Sequence, residues 1–231
     1  MAPPPSDASE MDAGKLVFSE ADCAWWIEME QRVMDSLVEL EPLGFVNGYK
    51  PYARGWTDDP APRARPGVAR ALVRAREALP SGCNFKILDA HRPWSLQQRC
   101  AQRSEARIRE AYPQWSEAQV QEHLWRMAPP ARVVPRLGSH RYGGAVDVAV
   151  VDAEGQELDM GVEAGYVAGP ESYLLHYEFH EPADEAGRVF RENRRVLMRA
   201  MQAGGFEPYL PEWWHWSHQR DIEATAPARM M

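Results

Sequence analysis

The sequence has little of what secreted, membrane or nucleic-acid-binding proteins need. Its 231 residues include three cysteines, Cys23, Cys83 and Cys100, whose odd number and wide spacing give neither a disulfide framework nor a paired-cysteine metal site. No stretch approaches the ~20 apolar residues of a membrane-spanning helix. The 26 Lys and Arg residues are outnumbered by 34 Asp and Glu residues, so the basic face of a general nucleic-acid binder is not expected. We therefore expect no nucleic-acid and no membrane partner.

The first residues, Met1 to Ser6, lack the basic and apolar regions of a secretory signal, and the few cysteines fit a reducing compartment. These features predict a cytoplasmic protein. Residues 1–18 are rich in Pro, Ser and Asp and are expected to be a flexible N-terminal segment. Hydrophobic residues make up 45% and charged residues 26% of the chain, which are ordinary globular values, so residues 19–231 are expected to form a single domain.

Hydrophobic periodicity predicts an α+β fold. Apolar residues at spacings of three and four predict helices over about 19–40, from Pro66, from about Ser95, after Ser116, and over 189–203. Alternating or β-branched runs predict strands at 84–89 and 145–151, and residues 161–185 are interpreted as a long surface loop. The expected architecture is a small central antiparallel sheet with helices packed mainly from the N-terminal half.

One anomaly lies inside the second strand. Asp147 interrupts the apolar run 145–151, and a carboxylate there is costly unless it is paired or bound to a cation. An edge position facing water, or an arginine partner, would also explain it. His140 lies seven residues earlier, and Gly143-Gly144 can turn the chain so that imidazole and carboxylate meet. Both groups are good zinc ligands.

A second acid and histidine pair lies near the C-terminus. In Glu212-Trp213-Trp214-His215 an acid precedes a histidine by three residues among aromatic side chains. The simpler interpretation is core tryptophans with a surface glutamate. The functional one is a third metal ligand, His215, beside a base whose pKa is raised by apolar walls.

Together these motifs resemble those of the zinc D-alanyl-D-alanine dipeptidases and the related D,D-carboxypeptidases. That family carries Ser-x-His-x-x-Gly-x-Ala-x-Asp, which this chain matches at the histidine, glycine, alanine and aspartate of residues 138–147. It also carries Glu-x-x-His, often Glu-Trp-Trp-His, which residues 212–215 match in full. Residues 89–93 are similar to its Asp-x-Tyr-Arg-Pro, and Asn193-Arg194-Arg195 favours the dipeptidase branch and is expected to open the last helix.

The resemblance implies a metallopeptidase fold and a role for each matched residue. His140, Asp147 and His215 would hold one Zn²⁺, and Glu212 would act as general base. Arg92 would face the oxyanion. The implied enzyme is a zinc-dependent hydrolase that cleaves a small dipeptide such as D-Ala-D-Ala, a cell-wall building block.

Two substrate-recognition positions depart from the family pattern. The motif's first serine is Gly138 here, so Ser139, one place later, is the candidate substrate-binding hydroxyl. The aspartate that recognises the substrate ammonium in the family falls at Gly165, so Glu163 is the candidate carboxylate, with Glu171 as an alternative.

Other functions fit parts of the same pattern. Two histidines and one aspartate also describe the Fe²⁺ site of non-haem oxygenases, so a homologue could oxidise a small amino-acid-like molecule. An amidase acting on a non-peptide substrate and a metal-stabilised binding domain are further alternatives. The presence of Glu212 and Arg92 favours hydrolysis, because an oxygenase does not need that base.

Overall fold

A five-stranded sheet forms the centre of the protein. The computed structural model describes residues 31–32, 36–127, 139–165, 169–180, 182 and 184–218. The strands are β1 (Val38–Glu39), β2 (Val46–Asn47), β3 (Arg63–Ala64), β4 (Asn84–Asp89), β5 (Ala145–Val151), β6 (Glu207–Pro208) and β7 (His215–Ser217). The helices are α1 (Lys50–Ala53), α2 (Pro66–Glu77), α3 (Trp94–Ala111), α4 (Glu117–Met127), α5 (His176–Phe179) and α6 (Glu185–Gly204).

The strand order of the main sheet is β2-β4-β5-β7-β6. Strands β2 and β4 run parallel, and the other three pairings are antiparallel. Strands β1 and β3 form a separate two-stranded antiparallel ribbon. Every residue of β5 is buried, which explains its continuous β-branched and alanine sequence, because both faces of this central strand are covered.

Helices α2 and α6 pack together over the sheet. Their buried faces join Phe85 and Ile87 of β4 and Trp216 of β7 in one apolar cluster. The two helices approach closely at Gly204, where an added Cβ would lie 2.7 Å from the carbonyl oxygen of Ala71. A smaller apolar cluster of Ile108, Val120 and Leu124 joins α3 to α4.

The architecture confirms the predicted α+β class with its small, mostly antiparallel sheet. The strands at 84–89 and 145–151 are confirmed, as is a helix after Ser116. A capping box begins that helix: Gln119 N donates to Ser116 Oγ at 3.4 Å, and Ser116 N donates to Gln119 Oε1 at 2.9 Å. Within the described ranges the longest helix, α6, nevertheless comes from the C-terminal half. Residues 1–30 lie outside the described residues, and with them the predicted flexible segment.

Two local predictions were wrong, and that of a loop over 161–185 was incomplete. The first predicted helix cannot extend to residue 40, because Val38–Glu39 pairs with Ala64 and Arg63 as a strand. The predicted loop 161–185 contains a 3-10 turn at Pro170–Ser172 and the short helix α5, and its Leu174 is buried in the core. Asn193 to Arg195 lie in the middle of α6 rather than at its start.

Over the described ranges, no helix is both long and apolar enough to cross a bilayer.

Candidate metal centre

Strand register brings three polar side chains into one row across the sheet. Asp89 of β4 pairs with Asp147 of β5, and Asp147 pairs with His215 of β7. Residues directly opposite each other on neighbouring strands point to the same face of a sheet. The anomalous Asp147 therefore lies between an acid and a histidine, and it does not lie at an edge facing water.

His140 completes a triangle with Asp147 and His215. His140 Nε2 lies 3.1 Å from Asp147 Oδ1 and 3.1 Å from His215 Nδ1, and His215 Nδ1 lies 3.0 Å from Asp147 Oδ1. A tetrahedral ion with ligand bonds of 2.0–2.1 Å places its donor atoms about 3.3 Å apart. Within the part of the chain that the structure describes, this is the one group of three metal-binding side chains found. Its two imidazoles and one carboxylate suit a divalent transition metal.

A main-chain contact fixes the orientation of His140. Its Nδ1 lies 2.6 Å from the carbonyl oxygen of Ala90, which only accepts hydrogen bonds. The ring proton is therefore on Nδ1, and the Nε2 lone pair points into the triangle. Such a carbonyl contact behind a ligating histidine fixes its tautomer and increases its basicity. Ala90 was missed in the sequence because a backbone carbonyl leaves no residue-type signal.

A tight turn positions His140 relative to Asp147. His140–Tyr142 forms a 3-10 turn that ends at Gly143, whose φ is +60°. An added Cβ at Gly143 would lie 2.9 Å from Leu37 Cδ2 and 3.3 Å from the backbone nitrogen of Arg65. Glycine at this position thus lets the chain reverse direction against α2 and enter β5 within two residues.

Arg92 connects two carboxylates at the edge of this triangle. Its Nε donates to Asp89 Oδ2 at 2.7 Å, and its Nη2 donates to Asp147 Oδ2 at 3.2 Å. Asp147 thus uses one oxygen toward the histidines and the other toward Arg92. Pro93 follows Arg92 and precedes α3, so the arginine lies at the corner between β4 and α3. The backbone nitrogen of Arg92 also donates to the His140 carbonyl at 3.0 Å.

Glu212 is buried beside the triangle. Its Oε2 lies 3.9 Å from His215 Nδ1, and the residue is 9% exposed. Burial raises the pKa of Glu212 to about 7, with repulsion from Asp147 acting in the same direction and attraction to His215 and Arg92 opposing it. A carboxyl group with a pKa near neutrality can both accept and return a proton. The predicted apolar surroundings are present, since Trp213 and Trp214 are both buried.

The charges around the triangle keep Asp147 ionised. Burial acts to raise the pKa of Asp147, but the contacts with the two histidines outweigh it and hold the pKa well below the usual value. Burial acts to lower the pKa of His215, but the hydrogen bond and charge of Asp147 outweigh it and raise that pKa, so the proton of the pair lies on His215. Burial and the Arg92 guanidinium lower the pKa of His140, which favours the neutral imidazole. Asp147 and His140 thus have the protonation states that bind metal, whereas a metal ion would have to displace a proton from His215.

The predicted substrate-binding residues lie at the margin of this site. Ser139 directly precedes His140, and its Oγ is buried with no hydrogen-bond partner among the described residues. Glu163 is exposed in the turn that follows Met160. That turn contacts the segment that carries Glu212 and His215, because Trp213 Nε1 donates to the Val162 carbonyl at 3.1 Å.

Comparison with known proteins identifies the family. The family described as "D-ala-D-ala dipeptidase", peptidase family M15, matches residues 65–228. The chain belongs to the D-ala-D-ala dipeptidase family. It is accordingly a metallopeptidase, and the match covers every residue of the triangle together with Arg92 and Glu212.

Individual relatives of this family are distant in sequence. A D-alanyl-D-alanine dipeptidase of Synechocystis sp. is 27% identical over 168 residues, which cover 66% of this chain and 68% of the relative. One from Escherichia coli (strain K12) is 31% identical over 107 residues, covering 45% and 51%. One from Enterococcus faecalis is 27% identical over 84 residues, covering 36% and 38%.

Proposed function

We propose that this protein is a zinc-dependent hydrolase that cleaves a small dipeptide such as D-Ala-D-Ala. The observation that carries the proposal is the triangle of Asp147 Oδ1, His140 Nε2 and His215 Nδ1, with edges of 3.0–3.1 Å. The three side chains would hold one Zn²⁺, because their donor types and spacing fit that ion. When bound, zinc polarises a carbonyl group and acidifies a water molecule.

Glu212 is proposed as the general base. Its carboxylate is buried next to His215, so it would accept a proton from water and pass it to the amine that leaves. The pKa of about 7 suits this double role. The same residue favours hydrolysis over the Fe²⁺ oxygenase alternative, because oxygen activation by a two-histidine, one-carboxylate site gives a buried glutamic acid no task.

Arg92 is proposed to stabilise negative charge that develops on the carbonyl oxygen during attack. Hydrogen bonds to Asp89 and Asp147 hold the guanidinium in place. A fixed cation of this kind needs no reorganisation when charge appears, which is the main source of such stabilisation. Ser139 Oγ, buried without a protein partner among the described residues, would bind a polar group of the substrate, and Glu163 would attract its ammonium group.

Product analysis tests this function. Zinc-loaded protein is incubated with D-Ala-D-Ala and a panel of D- and L-dipeptides, and free amino acids are measured by mass spectrometry. We expect D-alanine release, and a loss of at least ~10²-fold in turnover for Glu212→Ala with zinc retained. Glu77→Ala, an exposed glutamate on α2, is the matched control. Absence of release from every dipeptide by zinc-loaded protein would contradict the proposed function, and near-normal turnover of Glu212→Ala would contradict the role of that residue.

A further inference from the structure

Two cations lie near the candidate metal centre, since Asp147 acts electrostatically on Lys50 and Asp89 acts on Arg54. Lys50 and Arg54 belong to α1 and the residue that follows it. Strand β2 runs parallel to β4, so the C-terminal ends of both strands lie on the same side of the sheet, where Asp89 is found. Helix α1 follows β2 and therefore begins on the side that carries the candidate metal centre. The preceding residue, Tyr49, contacts the carbonyl oxygen of His91 with its hydroxyl at 3.5 Å.

Lys50 is held between the two segments that carry Arg92 and Glu212. Its Nζ donates to the Ala164 carbonyl at 2.7 Å. The turn containing Ala164 is joined to Trp213 through the Val162 carbonyl, and Trp213 is the neighbour of Glu212. Tyr49 and the His91 carbonyl form the corresponding link on the Arg92 side. Lys50 is half-buried, and its pKa is lowered by burial and by Arg54, which shows two cations close enough to repel each other.

Arg54 approaches the same turn at Gly165, the residue after Ala164. Its Nη2 would be 3.9 Å from a Cβ added at Gly165, and its guanidinium lies over the Trp56 ring at 5.0 Å from the centroid. The ring restricts the side chain and leaves its donors available. Among the described residues, no carboxylate lies within ion-pair distance of Lys50 or Arg54, although Glu163 attracts both at longer range.

Lys50 and Arg54 have no close counter-ion among the described residues; Arg54 is exposed, and Arg107 adds a further positive charge near it. The mutual repulsion of Lys50 and Arg54 costs free energy that a bound anion would recover. A guanidinium and an ammonium side by side suit a carboxylate, which accepts charge-assisted hydrogen bonds from both. The absence of a side chain at Gly165 leaves space for such a group next to Arg54.

We propose that Lys50 and Arg54 form a carboxylate-recognition subsite that selects substrates carrying an anionic group at this end of the metal centre. The inference rests on the proposed function, since it names the substrate feature that this site recognises. The carboxylate has two sources: the C-terminus of the dipeptide, which would take the place at this turn that was proposed for the ammonium group at Glu163, or an acidic side chain on the residue that carries that ammonium group. Both offer the same chemistry to the two cations.

Steady-state kinetics on three substrates separate the sources. The substrates are D-Ala-D-Ala, its C-terminal amide, and D-Glu-D-Ala, each with zinc-loaded wild type, Lys50→Gln and Arg54→Gln. Removing one charge-assisted hydrogen bond should raise KM roughly tenfold with little change in kcat. If the terminal carboxylate binds here, wild type has a higher KM for the amide than for D-Ala-D-Ala. In the variants, the KM values for these two substrates are then similar. If an acidic side chain binds here, D-Glu-D-Ala has the lowest KM, and the variants lose that advantage.

Arg199→Gln, which removes an exposed charge on α6, is the matched control and should leave all three KM values unchanged. Equal KM values for wild type and both variants on every substrate would overturn the subsite while leaving the proposed hydrolysis intact. If wild type hydrolyses none of the substrates, calorimetric titration with the same three compounds decides the matter. If wild type binds a carboxylate-bearing compound more tightly than the others and Arg54→Gln does not, the subsite is supported. If wild type and Arg54→Gln bind all three compounds equally, the subsite is overturned.

Discussion

Replacing Arg194 tests whether a buried arginine holds the loop next to the metal centre. Arg194 lies in the middle of α6 and is 2% exposed. Its guanidinium donates to three carbonyl oxygens of the preceding loop: Met160 at 3.0 Å and 2.5 Å, Tyr173 at 2.5 Å, and Glu171 at 2.6 Å. Burial lowers its pKa to about 10, so it remains charged at neutral pH without a carboxylate partner in the described part of the chain.

The expected cost follows from these contacts. Arg194→Met leaves three carbonyl oxygens without their donor, and each unsatisfied buried acceptor costs ~1–3 kcal/mol. The bonds to Tyr173 and Glu171 are only part-buried, so water can replace some of the loss, and we expect a total of about 3–5 kcal/mol. For a domain of this size that corresponds to a fall in Tm of about 6–20 °C.

The assay is urea unfolding followed by tryptophan fluorescence, with the free energy of unfolding extrapolated to water. Arg194→Lys should recover part of the loss, because an ammonium group carries three donors but lacks the planar geometry that reaches all three carbonyls. Arg195→Met is the neighbouring control: that side chain pairs with Glu178 and Glu192 at the surface, so its removal should cost much less.

The same loop carries Val162 and Ala164, which contact Trp213 and Lys50. Arg194→Met should therefore also raise KM, and more strongly than it lowers kcat. A loss of less than about 1 kcal/mol in unfolding free energy would refute the assignment of these carbonyl contacts as the main role of Arg194.

Three further perturbations test the metal centre itself. His215→Ala should lower bound zinc, measured by atomic absorption after dialysis, and unchanged stoichiometry would remove His215 from the ligand set. Zinc at a concentration of 1,000 times its Kd should stabilise wild type by about 4 kcal/mol. Asp147→Asn should abolish most of the corresponding rise in Tm, and an unchanged rise would contradict ligation by Asp147. Gly143→Ala should destabilise the fold by ~1–3 kcal/mol in thermal melts, because the positive φ and the contact with Arg65 leave no room for a methyl group. Wild-type stability of that variant would contradict the steric argument.

The parts of the fold that the sequence predicted are those with strong local patterns. Strand β5 is recognisable because seven consecutive buried residues are apolar except for Asp147. Helix α2 is recognisable because Pro66 begins it and its buried residues recur at helical spacing. In both cases the local preference and the tertiary environment agree, so a single sequence suffices.

The parts that the sequence did not predict depend on partners distant along the chain. Val38–Glu39 is a strand because residues 63–64 pair with it, although the apolar spacing predicts that a helix continues to residue 40. Segment 161–185 has Pro, Gly and polar residues typical of a loop, but the Arg194 guanidinium binds the carbonyl oxygens of Tyr173 and Glu171 within it. No local signal in residues 160–173 reports an arginine located 21 to 34 residues further on.

The candidate metal ligands could be predicted as residues but not as a geometry. Spacing and motif drew attention to His140, Asp147 and His215, whereas the cross-strand register that aligns Asp89, Asp147 and His215 is a property of the sheet. The cations of α1 were missed for the same reason. Lys50 is one lysine in an irregular segment, and only the parallel pairing of β2 with β4 places it at this edge.

The double contact of Asp147 links the proposed metal site to the proposed oxyanion site. One carboxylate oxygen faces both histidines, and the other accepts a hydrogen bond from Arg92. Removing the Arg92 side chain would therefore free the carboxylate of a proposed ligand as well as delete a cation, so a loss of turnover in Arg92→Ala cannot be assigned to oxyanion stabilisation alone. Arg92→Lys retains the positive charge but not the fork that reaches Asp89 and Asp147 together. If this variant binds zinc normally and still loses turnover, the planar guanidinium acts on the substrate. If zinc is lost in parallel with turnover, the main role of Arg92 is to hold Asp147 for the metal.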